Sequence, residues 1–356
     1  MSDSENMVSP TLTQEQVFSL MEQQYGLNVK SCVQLDGYDD KNYRIQVDDD
    51  LDSSKNLFIE KLHPHGYVLK ILNSLDSQNK LMIEGQNGMM FHLVSNDFRV
   101  PTPEKNVSGE FYSFHTFGDG KSGDAGTVHI VRLLKYQIGT KLNDVNPCHE
   151  IYFNVGVLTA KIDTCLSTFH HPGFENLNSN WALYNAPMIM KHINVVTDSK
   201  RRQIVEQHIT DFKNDVLAAM PQLEKGIIHG DINEHNILVE GTEISALLDF
   251  GDANCAPYLF EAAIAICYIL VHSSDISYGK SFLSGYNRFR VMPELEKKIL
   301  RTCVCTRLCQ SLVLGAYSGL KDPTNKYILS SQKTGWPILE KLSAISNEEL
   351  INLWNQ

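Results

Sequence analysis

Two stretches decide the fold: residues 226–240, GIIHGDINEHNILVE, and residues 246–253, ALLDFGDA. The first stretch puts Asp231 and Asn236 on a short loop between two apolar runs. The second puts Asp249 directly after another apolar run, thirteen residues past Asn236. One carboxylate can accept or orient a hydroxyl proton, while an amide oxygen and a second carboxylate can hold Mg²⁺ against phosphates. These residue types in this order predict a phosphoryl-transfer site.

A lysine inside an apolar strand gives the second signal. Lys70 interrupts residues 67–72, YVLKIL, and a buried ammonium group must be paired or functional because an isolated one is costly. Glu84 lies fourteen residues further on, in the middle of a predicted helix over 77–93. Glu84 is one candidate for an ion pair with Lys70. Glu60 and Glu110 compete for that role from strand-like segments.

The distribution of elements predicts two lobes. Strands dominate the first third, and helices dominate the remainder around one compact β-like stretch at 227–250. A capping box at Thr13 starts a first helix over 13–26, and alternating runs at 43–47 and 57–60 predict a hairpin. We expect one domain over 1–135 and another over 136–356. Further elements are predicted as strands at 67–72, 109–117 and 127–134, and as helices at 155–169, 201–220, 259–272, 294–318 and 337–342.

Composition excludes several classes of protein. The 356 residues carry 31 Lys and Arg against 42 Asp and Glu, a net charge of −11, which argues against nucleic-acid binding. The longest apolar run, 262–271, is half of what a membrane span needs. Residues 1–10 are polar and lack the apolar segment of a secretory signal, so we expect a cytoplasmic protein.

Eight cysteines are then expected to be reduced thiols. Cys303, Cys305 and Cys309 form the closest group, at helical spacing in an apolar segment. They lack the paired spacing or the histidines of a zinc site. We predict that they are core residues.

The pattern H-G-D-x-x-x-x-N followed by D-F-G-D resembles the aminoglycoside phosphotransferase and choline kinase-like family of small-molecule kinases. In this pattern, Gly230 stands where protein kinases have the arginine of His-Arg-Asp. The resemblance covers nearly the whole chain. It implies an α+β, bilobal, protein-kinase-like fold with a small β-rich N-lobe and a larger helical C-lobe.

The resemblance also implies roles for individual residues. Asp231 would be the catalytic base, and Asn236 and Asp249 would bind Mg²⁺. Lys70 would contact the nucleotide phosphates with Glu84 as its partner. The remaining nucleotide-binding candidates are Gly37, in the loop over 36–43, and Leu134 and Tyr136, whose backbone would meet the purine.

Within the family, the stretches at 35–47 (LDGYDDKNYRIQV), 67–73 (YVLKILN) and 131–142 (VRLLKYQIGTKL) carry a narrower resemblance. This resemblance implies an enzyme that uses GTP to phosphorylate the 5-hydroxyl of free 5-hydroxy-L-lysine. Such a hydroxy-amino acid presents two ammonium groups and one carboxylate. Acidic side chains near the catalytic loop could bind the amines, an arginine could bind the carboxylate, and aromatic rings could face an ammonium. The candidates are Glu234, Asp252 and Glu261, then Arg307, then Trp181 and Tyr184.

Other functions remain open at this point. A kinase of the same fold could act on choline, ethanolamine, homoserine or a sugar, with ATP in place of GTP. A nucleotide-binding pseudokinase scaffold would lack Asp231, Asn236, Asp249 or Lys70, and all four are present. A protein kinase would need His-Arg-Asp and Ala-Pro-Glu elements, which this sequence does not contain. The sequence does not indicate which oligomeric state the protein adopts.

Overall fold

The computed structural model describes residues 7–118, 126–175, 177, 179–323, 329 and 331–355. Contacts divide the chain into two compact units, Met1–Phe91 with Val100–Ile138, and His92–Arg99 with Gly139–Gln356. The sequence did not indicate that residues 92–99 join the second unit. The first unit contains an antiparallel sheet and the second is mostly helical, which confirms the α+β class.

The first unit opens with helix α1 (Gln14–Tyr25), which begins where the sequence predicts. The Thr13 side chain accepts from the Gln16 backbone N–H, and the Gln16 side chain accepts from the Thr13 N–H. Gly26 ends the helix in a left-handed conformation, with φ +66°. The buried face of α1 packs with the sheet residues that form the core of this unit.

A six-stranded antiparallel sheet follows, in the order β1-β2-β3-β6-β4, with β5 also paired to β6. One helix, α2, lies between β3 and β4 along the chain. The bounds are β1 (Val29–Leu35), β2 (Lys41–Val47), β3 (Tyr67–Ile71), α2 (Lys80–Ser95), β4 (Pro103–Glu104), β5 (Ser113–Phe117) and β6 (Thr127–Lys135).

The predicted hairpin between 43–47 and 57–60 is wrong. Strand β2 pairs with β1 on one side and with β3 on the other. Leu57 and Phe58 lie in a turn, residues 59–60 are irregular, and the Leu57 side chain is 79% exposed. Alternation of apolar and polar residues fits both segments. The connection from β1 to β2 is only five residues long, and such short connections are the usual way to join antiparallel neighbours.

The second unit contains seven helices in its described part, together with short strands that frame the loops. They are, in order, β7 (Thr140–Lys141), α3 (His149–Leu166), α4 (Ser199–Asp211), β8 (Lys225–Ile228), β9 (Ile237–Glu240), β10 (Glu243–Leu247), β11 (Asn254–Pro257), α5 (Tyr258–Ser273), α6 (Gly279–Tyr286), α7 (Glu294–Lys321), α8 (Gln332–Ser343) and α9 (Asn347–Asn355). Strands β10, β9 and β7 form one sheet, and β11 pairs with β8. The sequence analysis missed β1, β4, β7, β11, α6 and α9.

Helices α5 and α7 form the centre of the second unit. Every residue of α5 from Tyr258 to Val271 is buried. Helix α7 is the one helix, among the described residues, with the length and hydropathy of a membrane span, but 83% of that apolar window is buried inside the protein. Cys303, Cys305 and Cys309 are fully buried on α7, which confirms the prediction that they are core residues.

A buried carboxyl group lies near the start of α7. Glu296 is 2% exposed, and its Oε2 has no hydrogen-bond partner among the described residues. Burial raises the pKa of Glu296 to about 7, against the opposing charge of Arg290, and Glu224 raises it further. Arg290 itself is paired with Glu224. The folded chain therefore favours the protonated form of Glu296.

This predicts how the Glu296→Gln variant responds to pH. Because the folded-state pKa is raised, the stabilisation by the protonated carboxyl is complete below pH 4.5 and is lost as the pH rises through 7. The variant should therefore become more stable relative to the wild type over that range, by about 1–3 kcal/mol. Denaturant unfolding at pH 4.5, 6 and 8 measures the difference.

The matched control is Glu294→Gln, in the first turn of the same helix. The hydrogen bond from Lys297 lowers the pKa of this exposed carboxyl, so its pH trend has the opposite sign. A Glu296→Gln curve parallel to the wild type at all three pH values would contradict the assignment.

Candidate active site

The loop between β8 and β9 carries Asp231 and holds its carboxylate from one side. The side-chain amides of Asn233 and Asn236 each donate to Asp231 Oδ2, at 2.8 Å. The Asn233 side chain also accepts from the backbone N–H groups of His235 and Asn236, so it closes the loop as a turn. The predicted spacing of Asp231 and Asn236 thus brings the two side chains into direct contact.

Gly230 is required by the backbone of this loop. Its φ is +80°, and a Cβ atom there would clash with the carbonyl oxygen of Asp252. A side chain at this position would meet both torsional strain and a steric clash. The local geometry therefore explains His-Gly-Asp, since an arginine cannot occupy position 230 without moving the segment around Asp252.

The Asp249 segment lies against the same loop. The backbone N–H of Leu248 donates to the Asn236 carbonyl at 2.8 Å, and Asp249 follows at φ +56°. The Asp249 side chain is exposed. Asn236 donates through its amide nitrogen, which leaves its Oδ1 without a hydrogen-bond partner in the described part of the chain. An amide oxygen and an accessible carboxylate, on segments joined by this backbone bond, are the ligand types that suit Mg²⁺, which takes oxygen ligands and completes its shell with water and phosphate.

Glu261 on α5 binds the backbone of the loop between β8 and β9, which is the predicted catalytic loop. Its carboxylate accepts the N–H groups of both His229 and Gly230, and the side chain is completely buried. Burial raises the pKa of Glu261, against the two N–H donors, which lower it. The expectation that Glu261 binds a substrate amine is wrong, because both carboxylate oxygens face the loop and none faces solvent.

His229 packs against the loop and forms hydrogen bonds with it. Its Nε2 contacts the Leu248 carbonyl at 2.9 Å, and its Nδ1 accepts the Asp231 N–H at 3.2 Å. Those two contacts require the proton to be on Nε2. Burial lowers the pKa of His229, which favours this neutral form. His229 therefore links the catalytic loop to the segment that carries Asp249.

Arg307 on α7 contacts Asp231 from the other side. Its Nη2 donates to Asp231 Oδ1 at 2.9 Å, and its Nη1 donates to the Trp181 carbonyl at 2.8 Å. The side chain is 1% exposed. Arg307 is therefore not open to a substrate carboxylate, and that expectation is corrected.

The other substrate candidates divide by burial. Glu234 is buried among mostly apolar residues, and burial raises its pKa to about 7. The expectation that Glu234 binds a substrate amine is therefore corrected. Asp252 is partly exposed, and its charge acts on Arg307. The Trp181 ring is partly exposed beside the same guanidinium. Tyr184 is also partly exposed, and its hydroxyl donates to the Leu177 carbonyl. The structure thus gathers Asp231, Asp252 and Trp181 around Arg307.

In the first unit, Lys70 forms an ion pair with Asp40, not with Glu84. The Lys70 Nζ lies 3.1 Å from Asp40 Oδ2, and both side chains are largely buried. Asp40 Oδ1 accepts from the backbone and side chain of Asn73. Glu84 lies on the exposed face of α2, where it accepts from the Tyr112 hydroxyl at 3.0 Å. The Glu84 prediction is corrected because the helix turns that side chain to solvent.

The remaining nucleotide-binding candidates lie at turns and strand ends of the same unit. Gly37 allows a tight turn, since a Cβ there would be 2.6 Å from the Asp40 carbonyl oxygen. Leu134 is buried in β6, opposite Val68 of β3. The Tyr136 N–H donates to the Gly66 carbonyl, and the Arg44 guanidinium lies over the Tyr136 ring, 4.2 Å from its centroid. Purine binding by Leu134 and Tyr136 stays a prediction.

The sequence analysis missed two residues of this arrangement, Asp40 and Asn233. Asn233 could have been found, because Asx residues inside a short loop commonly close turns through their side chains. The contact of Asp40 with Lys70 depends on the pairing of β2 with β3, whereas the sequence analysis paired residues 43–47 with 57–60.

Glu261→Ala should destabilise the protein by about 2–5 kcal/mol, because it leaves two buried N–H groups without an acceptor. Glu261→Gln should lose less, since one acceptor oxygen remains. The matched control is Glu240→Ala, at an exposed position on β9. Denaturant unfolding measures all three variants. Equal midpoints for Glu261→Ala and Glu240→Ala would show that Glu261 does not support the loop.

Asp40→Asn should lower the free energy of unfolding by about 1–3 kcal/mol, because it removes the charge that faces the buried Lys70 ammonium. The variant keeps an oxygen that can accept from Asn73. Asp36→Asn, exposed in the same loop, should change stability by less than about 0.5 kcal/mol. Unfolding midpoints at pH 7 test the pair, and indistinguishable midpoints would refute a stabilising role for Asp40.

Comparison with known proteins identifies the family of this chain. Residues 38–297 match the phosphotransferase enzyme family (APH). The chain is 32% identical to hydroxylysine kinase of Mus musculus, over 99% of this chain and 94% of the relative. It is 33% identical to hydroxylysine kinase of Xenopus laevis, over 98% and 94%. The solved structure of amicoumacin kinase hAmiN, in complex with AMP-PNP and Ca²⁺, superposes with a TM-score of 0.69 at 14% identity, covering 95% of this chain and 97% of that one.

The structural likeness confirms the protein-kinase-like fold predicted from the loop motifs. The family match and the full-length relatives extend far beyond those motifs. The chain belongs to the phosphotransferase enzyme family and is a small-molecule kinase with an alcohol group as its acceptor.

Proposed function

We propose that this protein transfers the γ-phosphoryl group of GTP to the 5-hydroxyl of free 5-hydroxy-L-lysine. The observation that carries the proposal is the contact between Asp231 and Asn236, joined through the Leu248–Asn236 backbone bond to Asp249. In this proposal, Asp231 would be the base, and Asn236 and Asp249 would be the metal ligands. Similarity to hydroxylysine kinases over almost the whole chain supports the choice of substrate.

In the proposed reaction, Asp231 accepts the proton of the substrate hydroxyl. The hydroxyl oxygen forms a bond to the γ-phosphorus, and the bond from that phosphorus to the bridging oxygen breaks. The electron pair of the broken bond leaves on GDP. Asn236 and Asp249 would bind Mg²⁺, which neutralises charge on the phosphates. Lys70 would contact the α- and β-phosphates, and Asp40 would hold its ammonium group.

The substrate side of the proposal depends on Asp252 and Trp181. Both are partly exposed, and both lie beside Arg307, which contacts Asp231. A carboxylate and an indole face are suitable partners for an ammonium group. We therefore propose that Asp252 and Trp181 bind an amine of the substrate. Tyr184, three residues after Trp181, would line the same pocket at a greater distance. We also propose a cytoplasmic location, where the eight free cysteines stay reduced.

Nucleoside diphosphate release tests the proposal directly. GTP and ATP are each offered with 5-hydroxylysine, choline, ethanolamine or homoserine. GDP release that requires 5-hydroxylysine supports both the donor and the acceptor. Turnover with another alcohol but not with 5-hydroxylysine would overturn the proposed substrate. Turnover with ATP but not with GTP would overturn the proposed donor. Both results would keep the phosphotransferase assignment. Nucleotide binding without turnover on any acceptor would favour a scaffold.

Asp231→Asn should lower kcat by about 10²–10⁴-fold, because the amide cannot accept the hydroxyl proton. The KM for GTP should change little. Asp215→Asn, exposed on the surface, is the matched control. Steady-state rates with near-UV circular dichroism separate catalysis from folding. A folded Asp231→Asn variant with wild-type kcat would exclude Asp231 as the base.

A further inference from the structure

Arg307 is one of the two largest fully buried side chains in the described part of the chain. Burying a guanidinium group is costly unless its donors are paired. Its Nη2 donates to Asp231, and its Nη1 donates to the Trp181 carbonyl and, at 3.2 Å, to the Gln310 side chain. Both terminal nitrogens therefore bind protein groups, and the charge is placed directly against the proposed base.

The two oxygens of Asp231 have different surroundings. Oδ2 accepts two amide donors, from Asn233 and Asn236, which fills its two lone pairs. Oδ1 accepts one donor, from Arg307. One lone pair of Oδ1 is left, and the Asp231 side chain is 19% exposed. The oxygen that can meet a substrate hydroxyl is thus the oxygen that Arg307 holds.

Helix α7 also holds the segment on the substrate side. The Gln310 side chain donates to the Asn180 carbonyl at 2.6 Å, one turn from Arg307. The Arg307 guanidinium lies 5.1 Å from the Trp181 ring centroid and 5.4 Å from that of Tyr268. Arg307 therefore contacts both the Asp231 carboxylate and the Trp181 backbone.

We propose that Arg307 is a positioning residue for phosphoryl transfer. It fixes the rotamer of Asp231 so that Oδ1 faces the acceptor hydroxyl, and it fixes the Trp181 segment relative to that oxygen. This inference rests on the proposed role of Asp231 as the base. It assigns Arg307 to the geometry of the reaction rather than to a charge on the substrate.

The test is a double-mutant cycle between Arg307→Met and Asp231→Asn. If Arg307 acts through Asp231, Arg307→Met should lower kcat by about 100-fold in the wild-type background, because small misplacements of a reacting group cost that much. In the Asp231→Asn background it should cost less than about threefold, since coupled residues are not additive. The KM values for GTP and 5-hydroxylysine should stay within about threefold, and Arg307→Lys should recover part of kcat.

The matched control is Arg301→Met, two turns earlier on the same helix. Its guanidinium donates twice to the Leu342 carbonyl, away from the catalytic loop. This variant should keep kcat within about twofold. If Arg307→Met does not give a wild-type near-UV spectrum, the cycle is run with Arg307→Lys, which retains the charge and changes the geometry.

The outcomes separate the two proposals. Wild-type kcat in a folded Arg307 variant, or equal losses in both Asp231 backgrounds, would overturn the positioning role. A large rise in KM for 5-hydroxylysine at unchanged kcat would also overturn it, because it would mean that Arg307 binds the substrate. Wild-type kcat in Asp231→Asn itself would instead overturn the proposed base, whatever Arg307 does.

Discussion

The catalytic loop depends on one buried carboxylate. Glu261 accepts the N–H groups of His229 and Gly230 at a point where the backbone cannot form regular hydrogen bonds, because Gly230 has a positive φ. Burying a carboxylate costs several kcal/mol, so this contact is stable only because both N–H groups point at it. Asp231 is the next residue. Its position in space is therefore set by its backbone neighbours before its own side chain makes any contact.

A second helix, α7, then contacts the Asp231 side chain, whose rotamer the backbone position leaves free. Helix α5 determines where the Asp231 backbone lies, and Arg307 on α7 determines how the side chain is turned. Helices α5 and α7 pack against each other within the core of the second unit. The position of the Asp231 carboxylate thus depends on the packing of α5 and α7 as well as on the loop sequence. A change that separates the two helices would disturb both controls on Asp231 together.

Local spacing predicted the parts of the site that local geometry determines. Asn236 follows Asp231 by five residues within one turn, so the side-chain contact follows from the loop itself. The roles given to Glu261 and Arg307 were wrong because their partners are 31 and 76 residues away. The sequence nevertheless contained a signal. Both charges interrupt apolar, helix-forming runs, and a charge at such a position needs an internal partner.

The same reasoning was applied to Lys70 and named the wrong partner, for an identifiable reason. Strand β2 pairs with β3 so that Asn42 lies opposite Lys70. This register brings Asp40, two residues earlier, to the lysine. The sequence analysis instead chose Glu84 by its spacing from Lys70. It also paired residues 43–47 with 57–60, so it did not include the register that brings Asp40 to Lys70. Spacing along the chain thus gave an incorrect ion pair, because partners across a sheet are determined by register and not by distance along the chain.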